Sequence, residues 1–174
     1  GNGNGGWADG PGSTARFWVP QDAVVDGQGN VYVADTNNHR IRKIAPDATV
    51  TTLAGTGVPG WADGAGHMAQ FSNPVGLAMD GTGSLYVADS GAGRVLVFRL
   101  PTLEQCAILD VPPQEPVGLA ADNLGRVYVL DRGLNIVLRF NGWGSADESY
   151  NTKMANQPEL ESPFCMAIDG QDIL

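Results

Sequence analysis

The sequence predicts an all-β fold in which one small unit is repeated along the chain. The segment VYVADTNNHR at 31–40 returns as LYVADSGAGR at 85–94 and, in a more divergent form, as VYVLDRGLNI at 127–136. A proline leads each copy, and successive prolines lie 54, 42 and 47 residues apart: Pro20, Pro74, Pro116 and Pro163. Units of this period, made of short strands and glycine turns, are typical of propeller blades, so we predict a β-propeller of four-stranded blades.

The first complete unit shows how a blade is assigned. We expect strands at 21–25, 31–34, 40–44 and 49–53, because these runs are rich in Val, Ile, Leu and Tyr and are bounded by Gly, Asp and Asn. A glycine turn joins the first two strands, and a loop at 35–39 joins the next two. No apolar stripe at a period of 3.6 extends over 12 or more residues, so almost no helix is predicted. The weak exception is a single turn near 154–157.

The repeat divides the chain into parts of one propeller domain. We assign blade 1, blade 2 and blade 3, with the start of a fourth blade: 17–54, 71–110, 111–141 and 163–174. Residues 1–16 are an inter-blade loop that closes a preceding blade, 55–70 are a second such loop, and 142–162 are a longer polar loop. Fewer than four blades cannot close a ring without exposed strand edges. We therefore expect the ring to be completed by further sequence, which we favour, or by a second copy.

The first unit resembles the NHL repeat. Phe-x-x-Pro, Asp-Gly-x-Gly-Asn, Tyr-Val-Ala-Asp and Asn-His-Arg-Ile-Arg-Lys follow one another between Phe17 and Lys43. The second unit departs from this pattern at 91–93, and the third has Ile136 where the others have arginine. The resemblance implies a propeller that usually has six blades. It indicates the fold and not the task, because such propellers serve as protein-binding, RNA-binding, sensor and occasionally enzymatic domains.

Composition and charge argue against some classes of partner. The 174 residues are 43% hydrophobic and 17% charged, with a formal net charge of −9. A nucleic-acid backbone requires clustered Lys and Arg, and the basic run at 40–43 is split across two faces of a strand, so no nucleic-acid partner is expected. No apolar run is long enough to cross a bilayer, and we predict no membrane insertion. The sequence does not fix the compartment. The chain is either secreted or extracellular, or part of a larger protein.

Two cysteines leave an alternative open. Cys106 and Cys165 fall in different units of the repeat. They would pair in an oxidising compartment, but two ordinary buried thiols are the favoured interpretation.

The glycine-rich segments at 1–17 and 55–71 both contain Gly-x-Gly-x-x-Gly, the spacing of dinucleotide-binding loops. Such a loop joins a strand to a helix, whereas these segments recur at the blade period and lead into a strand. We interpret them as inter-blade connections. We expect the large aromatic residues Trp7 and Trp61 to pack beneath the loops, and Phe17 and Phe71 to anchor the loop ends between blades.

The first aspartate of each unit precedes a turn, as in Asp26-Gly27-Gln28-Gly29. Related Asp-Gly pairs begin at Asp9, Asp63 and Asp80. A calcium site needs six to eight oxygen ligands, which these loops do not supply. We interpret Asp-Gly as turn chemistry, since glycine adopts a positive φ without steric cost.

The second aspartate of each unit ends a strand that we expect to be buried: Asp35, Asp89 and Asp131. A buried carboxylate needs partners. We expect backbone N–H groups of the loop that follows to supply them. Arg40 and Arg94, each five residues further on, are candidates for an ion pair with an acid in the same or the next blade.

Candidate functional residues lie where the repeat breaks. His39 stands where the other units have Gly93 and Asn135, and Arg132 follows the aspartate of the third unit. The polar loop at 142–162 is longer than its counterparts and is a candidate partner-contact loop. Its candidate contact residues are Trp143, Asp147, Glu148, Tyr150 and Lys153.

Regular blades without a visible nucleophile–base pair or metal cluster favour a non-enzymatic interaction scaffold with no cofactor. Its partner would be a protein, a peptide or a glycan. Two alternatives stay open. One is a metal-dependent lyase or lactonase-type propeller whose site lies largely outside this sequence, because His39 and His67 are the only histidines and both fall in loops. The other is a structural component of a large assembly.

Overall fold

The computed structural model describes residues 5–109, 115–141, 144–148 and 150–151. Their regular structure is almost entirely β. Blade 1 contains β1 to β5: Gly10–Pro11, Pro20–Val25, Val31–Asp35, Arg40–Ile44 and Thr49–Ala54. Blade 2 contains β6 to β9: Pro74–Met79, Ser84–Asp89, Arg94–Arg99 and Glu104–Ile108. Blade 3 contains β10 to β12: Pro116–Ala121, Arg126–Asp131 and Ile136–Asn141.

Each blade is an antiparallel sheet in which strands that follow one another in sequence are neighbours. The sheet orders are β1-β5-β4-β3-β2, β6-β7-β8-β9 and β10-β11-β12. The first full strands, β2, β6 and β10, contact one another side by side, as the inner strands of a propeller do. The four strands predicted for blade 1 are confirmed to within one residue at each end. Two short 3-10 turns, Thr36–Asn38 and Ser90–Ala92, follow β3 and β7.

The core lies between blades rather than within them. Alternate residues of a strand point to opposite faces of the sheet, so Ile41 on β4 packs towards blade 2, in a cluster that includes Leu77 and Phe98. A second cluster joins Val95 and Val97 of blade 2 to blade 3. These two layers hold the three blades side by side.

The inner strands approach most closely between blades 2 and 3. A Cβ on Gly76 would lie 2.7 Å from the Val117 carbonyl oxygen, so this position requires glycine. In blade 1 the equivalent residue is Asp22, whose carboxylate accepts the Leu77 N–H at 2.8 Å. Burial raises the pKa of Asp22. A side chain thus bridges blades 1 and 2 where backbone atoms meet between blades 2 and 3.

The hairpin aspartates confirm the turn interpretation. The Asp26 carboxylate accepts the N–H groups of Gln28 and Asn30, both at 2.9 Å, and the Tyr32 hydroxyl at 2.9 Å. The glycine that needs a positive φ is the second of the motif and not the first: Gly29 has a φ of 82°. Gly83 and Gly125 repeat this at 88° and 75°, so the third unit makes the same turn without an Asp-Gly pair.

The aromatic residues of the inter-blade loops differ in burial: the phenylalanines are buried or half-buried, and the tryptophans are exposed. Phe71 is completely buried, 6.0 Å from the Phe98 ring, which confirms its predicted role as an anchor, and Phe17 is half-buried. The prediction that Trp7 and Trp61 pack under the loops is wrong, since they are 49% and 78% exposed. The loops lie directly on the outer strands, where β1 pairs with β5 and Gly64 N–H bonds to the Gln105 side chain. The Trp7 indole lies on the surface instead, where its N–H donates to Thr52 of β5 at 2.9 Å.

Several predictions fall outside the described residues. These are the turn near 154–157, the fourth-blade segment 163–174, and Cys165, the possible partner of the β9 residue Cys106. Among the described residues, no helix has the length and the apolar character needed to span a bilayer.

Candidate functional site

The described blades present two opposite surfaces. The loop face is formed by the connections after β3, β7 and β11 and by the inter-blade loops. The turn face carries the hairpin turns at 26–30, 80–83 and 122–125. Most positions at which the repeat breaks lie on the loop face, so we describe that face first.

A buried guanidinium fastens the first inter-blade loop to blade 1. The Arg42 side chain is completely buried, and its Nη1 donates to Asp35 at 2.8 Å and to the Arg16 carbonyl at 2.9 Å. Its Nη2 donates to Asp9 at 2.5 Å and to the Ala8 carbonyl at 2.8 Å. The predicted pairing of Asp35 with Arg40 is therefore wrong. Arg40 and Arg42 lie on the same face of β4, because side chains two residues apart in a strand point the same way. Arg42 is the one whose guanidinium reaches Asp35 and the loop.

Blade 2 fastens its own preceding loop in the same way. Arg94 donates through Nε to Asp89 at 3.0 Å, which confirms the predicted pair. Its Nη1 donates to Asp63 at 2.7 Å and to the Trp61 carbonyl at 2.9 Å, and its Nη2 donates to the Gln70 carbonyl at 2.8 Å. Both loops are thus held by one arginine and two carboxylates.

The backbone partners of the second aspartates differ from the prediction in two blades. Asp35 accepts the Trp18 N–H at 2.7 Å, and Asp89 accepts the Ser72 N–H at 2.6 Å. Both N–H groups belong to the segment that precedes the inner strand, and not to the loop that follows the aspartate. The residues that follow them, Val19 and Asn73, have φ values of 50° and 53°. This left-handed conformation turns the chain into the inner strand.

In blade 3 the predicted capping is confirmed, because Asp131 accepts the Leu134 N–H of the following loop at 2.9 Å. Arg132, a predicted candidate site residue, forms an ion pair with Glu115. This contact lowers the pKa of Glu115. Arg132 also donates its backbone N–H to the Glu115 carbonyl at 2.9 Å. The pair links the end of β11 to the segment before β10.

Because Arg42 occupies the buried site in blade 1, Arg40 lies on the surface beside Trp7. The guanidinium carbon is 4.4 Å from the centre of the indole ring, within the range of a cation–π contact. Arg40 also donates to the Thr56 carbonyl at 2.7 Å, and the Trp7 indole N–H donates to Thr52 at 2.9 Å. The exposed indole is therefore held in one orientation.

Exposed apolar side chains continue from this pair along the loop face. Trp18 is 49% exposed, and a Cβ on Gly5 would lie 3.1 Å from its ring, so Trp18 contacts the backbone two residues before Trp7. On the other side, a Cβ on Gly57 would overlap the Arg40 guanidinium, and this places Arg40 against the backbone next to the exposed Val58. We call this surface the aromatic ridge: Trp7, Trp18, Val19, Arg40 and Val58.

His39, another predicted candidate, lies at the junction of blades 1 and 2. Its Nδ1 accepts the Asn73 N–H at 3.1 Å. Burial, with a contribution from the neighbouring Arg40, lowers the pKa of His39 and favours the neutral ring that this bond requires. The imidazole thus ties the loop after β3 to the start of the next inner strand.

The described part of the polar loop folds back along β12. Ala146 bridges Phe140, and the Asp147 N–H donates to the Arg139 carbonyl at 2.9 Å. The Asp147 carboxylate accepts Arg139 Nε at 3.0 Å, and the Arg139 guanidinium lies 4.4 Å from the Tyr150 ring. This segment covers the edge of blade 3, where an outer strand lies in the other two.

Of the predicted contact residues in this loop, Glu148 is exposed, while Trp143 and Lys153 lie outside the described residues. Within the described part of the chain, no three His, Cys, Asp or Glu side chains come together as a metal site would require.

Comparison with known proteins agrees with this geometry. The NHL repeat family matches residues 17–44 and 71–98, which run from the end of an inter-blade loop to the third strand of blades 1 and 2. The chain contains two NHL repeats. The two matches start 54 residues apart, the spacing of the leading prolines.

Two relatives of this NHL-repeat chain are much longer than it. It is 37% identical over 102 residues to the chloroplastic protein SUPPRESSOR OF QUENCHING 1 of Arabidopsis thaliana, and this match covers 58% of the chain and 10% of the relative. It is 38% identical over 98 residues to NHL repeat-containing protein 2 of Bos taurus, covering 54% of the chain and 14% of the relative. The chain therefore spans a small part of the curated relatives that it matches.

The fold also resembles a solved propeller enzyme. The structure of a gluconolactonase from Xanthomonas campestris aligns with a TM-score of 0.66 at 16% identity, over 97% of this chain and 55% of that one. At this level of identity the likeness supports the fold alone.

The sequence carries a signal for the aromatic ridge. Trp18 and Val19 stand where the second unit has Ser72 and Asn73, which makes them breaks in the repeat as clear as His39. Only the three-dimensional contacts show that Arg42 takes the buried site.

Proposed function

We propose that this NHL-repeat chain is a non-enzymatic scaffold that binds a protein or peptide partner through the aromatic ridge. The observation that carries the proposal is that Trp7 and Trp18 are each half-exposed on backbone that is fixed by buried charges. Tryptophan and arginine are enriched among the residues that dominate binding energy in protein interfaces. The ridge presents Trp7, Trp18 and Arg40 on one continuous surface.

The ridge is pre-organised, which favours binding. The Trp18 N–H is bonded to Asp35, and the Trp7 ring is held between Arg40 and the Thr52 hydroxyl. Side chains that are already ordered lose little conformational entropy when a partner binds, so more of the contact energy appears as affinity. Exposed apolar side chains grouped in this way are typical of interaction sites.

The ridge is also specific to blade 1. The second unit has Ser72 and Asn73 in place of Trp18 and Val19, and its Arg94 is engaged in the buried site. A feature that every blade needs for folding would recur in every blade. A surface that occurs once is expected of a binding site.

A selection experiment with displayed peptides tests the proposal. A random 16-residue peptide library is selected on the chain, and the enriched peptides are measured by fluorescence anisotropy against the chain and its variants. The decisive variant is Trp18→Ser/Val19→Asn, which copies the second unit and should fold, because Ser72 and Asn73 adopt the same turn. We expect the enriched peptides to lose at least about tenfold in affinity, about 1.4 kcal/mol.

Trp61→Ala is the matched control, since it removes an indole outside the ridge that is more exposed than either tryptophan within it. Its affinity should stay within about twofold of the unmodified chain. Enrichment of no peptide, or equal binding to Trp18→Ser/Val19→Asn, would contradict the proposal. Turnover of a lactone by the chain would contradict its non-enzymatic part.

A further inference from the structure

The turn face contains an open cleft between blades 1 and 2. Its volume is about 860 Å³, and the hairpin turns at 26–30 and 80–83 form two of its sides. Sites for small molecules typically have volumes of about 300–1,000 Å³. The cleft lies on the face opposite the aromatic ridge and is separate from it.

Apolar side chains line part of the cleft. Val25 from the end of β2 and Met79 from the end of β6 face it, together with Leu100 and Pro101 from the turn after β8. Val25 is 62% exposed. An isolated exposed valine is ordinary, but here it continues an apolar wall inside a concavity.

The two aspartates of the cleft are hydrogen-bonded within their own hairpins. Asp26 accepts four hydrogen bonds of 2.7–2.9 Å from its own hairpin, including that of the Tyr32 hydroxyl. Asp80 accepts four of 2.7–3.0 Å, including that of the Tyr86 hydroxyl. A carboxylate has about four lone-pair positions, two on each oxygen, so Asp26 has none left for a ligand. Among the described residues, Asp80 Oδ2 accepts only the Tyr86 hydroxyl.

Lys43 is the remaining ionised group of the cleft. No hydrogen bond or ion pair to its ammonium group occurs among the described residues, and Lys43 lines the opening. It lies two positions after Ile41 on the face of β4 that packs towards blade 2. At the equivalent position, blade 2 carries Val97, which is 2% exposed within the cluster shared with blade 3. The lysine thus replaces a core residue and places an unpaired cation beside an apolar wall.

We propose that this cleft binds a small organic monoanion. Its carboxylate would contact the Lys43 ammonium group, and its apolar body would lie along Val25, Met79 and the Leu100–Pro101 turn. A charge-assisted hydrogen bond of this kind is stronger than a neutral one. A single negative charge is favoured over a dianion, because Asp26 and Asp80 lie in the same cleft and repel additional charge. This site is independent of the proposed protein-binding surface.

Four probes that share one apolar body test the charge requirement. 4-Phenylbutyrate, the neutral 4-phenylbutyramide, 4-phenylbutylamine and 4-phenylbutyl phosphate are titrated into the chain, and binding is followed by amide chemical shifts in two-dimensional NMR. We expect saturable binding of the carboxylate, with shifts at the turns 26–30 and 80–83. The amide, the amine and the phosphate should bind at least about tenfold more weakly.

The matched variants are Lys43→Val and Lys43→Arg. Lys43→Val copies Val97 and is expected to fold with at least the original stability, because an apolar residue occupies this position at the next interface. It should lose at least about tenfold in affinity for 4-phenylbutyrate, whereas Lys43→Arg should retain most of it. Absence of saturable binding up to 10 mM (roughly the weakest affinity worth assigning), tighter binding of the amine, or an unchanged affinity in Lys43→Val would overturn the proposal.

Trp18→Ser/Val19→Asn separates the two proposals. It should bind 4-phenylbutyrate as the unmodified chain does, and Lys43→Val should retain the selected peptides. Each proposal therefore fails without affecting the other.

Discussion

Blades 1 and 2 hold their preceding loops with equivalent acceptors, but the arginine reaches them from different strand positions. Alignment of the units by 54 residues pairs Arg94 with Arg40, yet in blade 1 it is Arg42 that binds the two carboxylates. Arg42 aligns with Leu96, which belongs to the core between blades. The acceptors are therefore defined by the fold, and a long side chain from either position reaches them. The difference releases Arg40 to contact Trp7.

A second difference concerns how well the buried aspartate is satisfied. Asp35 accepts bonds from a backbone N–H, from Arg42, and from the Asn38 side chain at 2.9 Å. The residue equivalent to Asn38 in blade 2 is Ala92, so Asp89 lacks this third donor. Desolvation then outweighs its remaining bonds and raises the pKa of Asp89 to about 6.

The largest expected effect comes from removing both arginines that can reach the site in blade 1. Arg40→Ala/Arg42→Leu leaves Asp35 buried without a cation and removes the guanidinium bonds that hold the loop through Asp9 and the Ala8 and Arg16 carbonyls. We expect a loss of about 3–5 kcal/mol in the free energy of unfolding, as for other broken buried pairs. Urea denaturation followed by circular dichroism measures it.

The single variant Arg42→Leu is the control, because it copies Leu96 and leaves Arg40 able to take the site as Arg94 does. Its loss should be clearly smaller than that of the double variant, and the Trp7 fluorescence should change as Arg40 moves away. Equal losses of stability in the two variants would show that an arginine reaches the acceptors only from position 42 and not from position 40.

A smaller effect is expected from pH. Because the pKa of Asp89 is raised to about 6, the folded chain keeps a proton that the unfolded chain releases above about pH 4. The unfolded state then binds fewer protons, so this group stabilises the fold below about pH 4 and its contribution is lost as the pH rises to about 6. We expect the contribution to fall by about 2 kcal/mol over this range.

Asp89→Asn isolates this contribution, since the amide does not titrate. Urea denaturation of both proteins at intervals from pH 4 to pH 7 should show the unmodified chain losing stability relative to Asp89→Asn. Parallel curves would mean that Asp89 is ionised throughout and that Arg94 compensates its burial.

The smallest expected effect is a gain in the free energy of unfolding. Ala92→Asn gives Asp89 the amide donor that Asn38 provides in blade 1, and we expect up to about 1 kcal/mol of added stability at pH 7. The pH dependence attributed to Asp89 should also become smaller. Asn38→Ala is the reciprocal change and should cost about 1 kcal/mol or more, because it removes a bond to a buried carboxylate. A loss of stability in Ala92→Asn would show that the short turn of blade 2 does not admit the side chain.

Local chemistry explains which predictions succeeded. The strands of blade 1 and the hairpin turns depend on residues close together in sequence, such as Asp26 and Gly29, so their spacing alone predicts them. The two tryptophans of the inter-blade loops were misplaced because their exposure depends on how those loops lie on the outer strands. The choice between Arg40 and Arg42 likewise depends on an aspartate more than 30 residues away, Asp9.

The sequence by itself determined the repeated unit, its short strands, its turns and the propeller class, because each of these depends on periodic patterning and on backbone preferences within a few residues. Tertiary structure alone decided which arginine is buried, which tryptophans face solvent and where Lys43 meets an apolar wall. These outcomes depend on the contacts between blades and loops, where burial and hydrogen-bond partners come from residues distant in sequence. The candidate ridge and the cleft both arise at such contacts, on opposite faces of the same pair of blades.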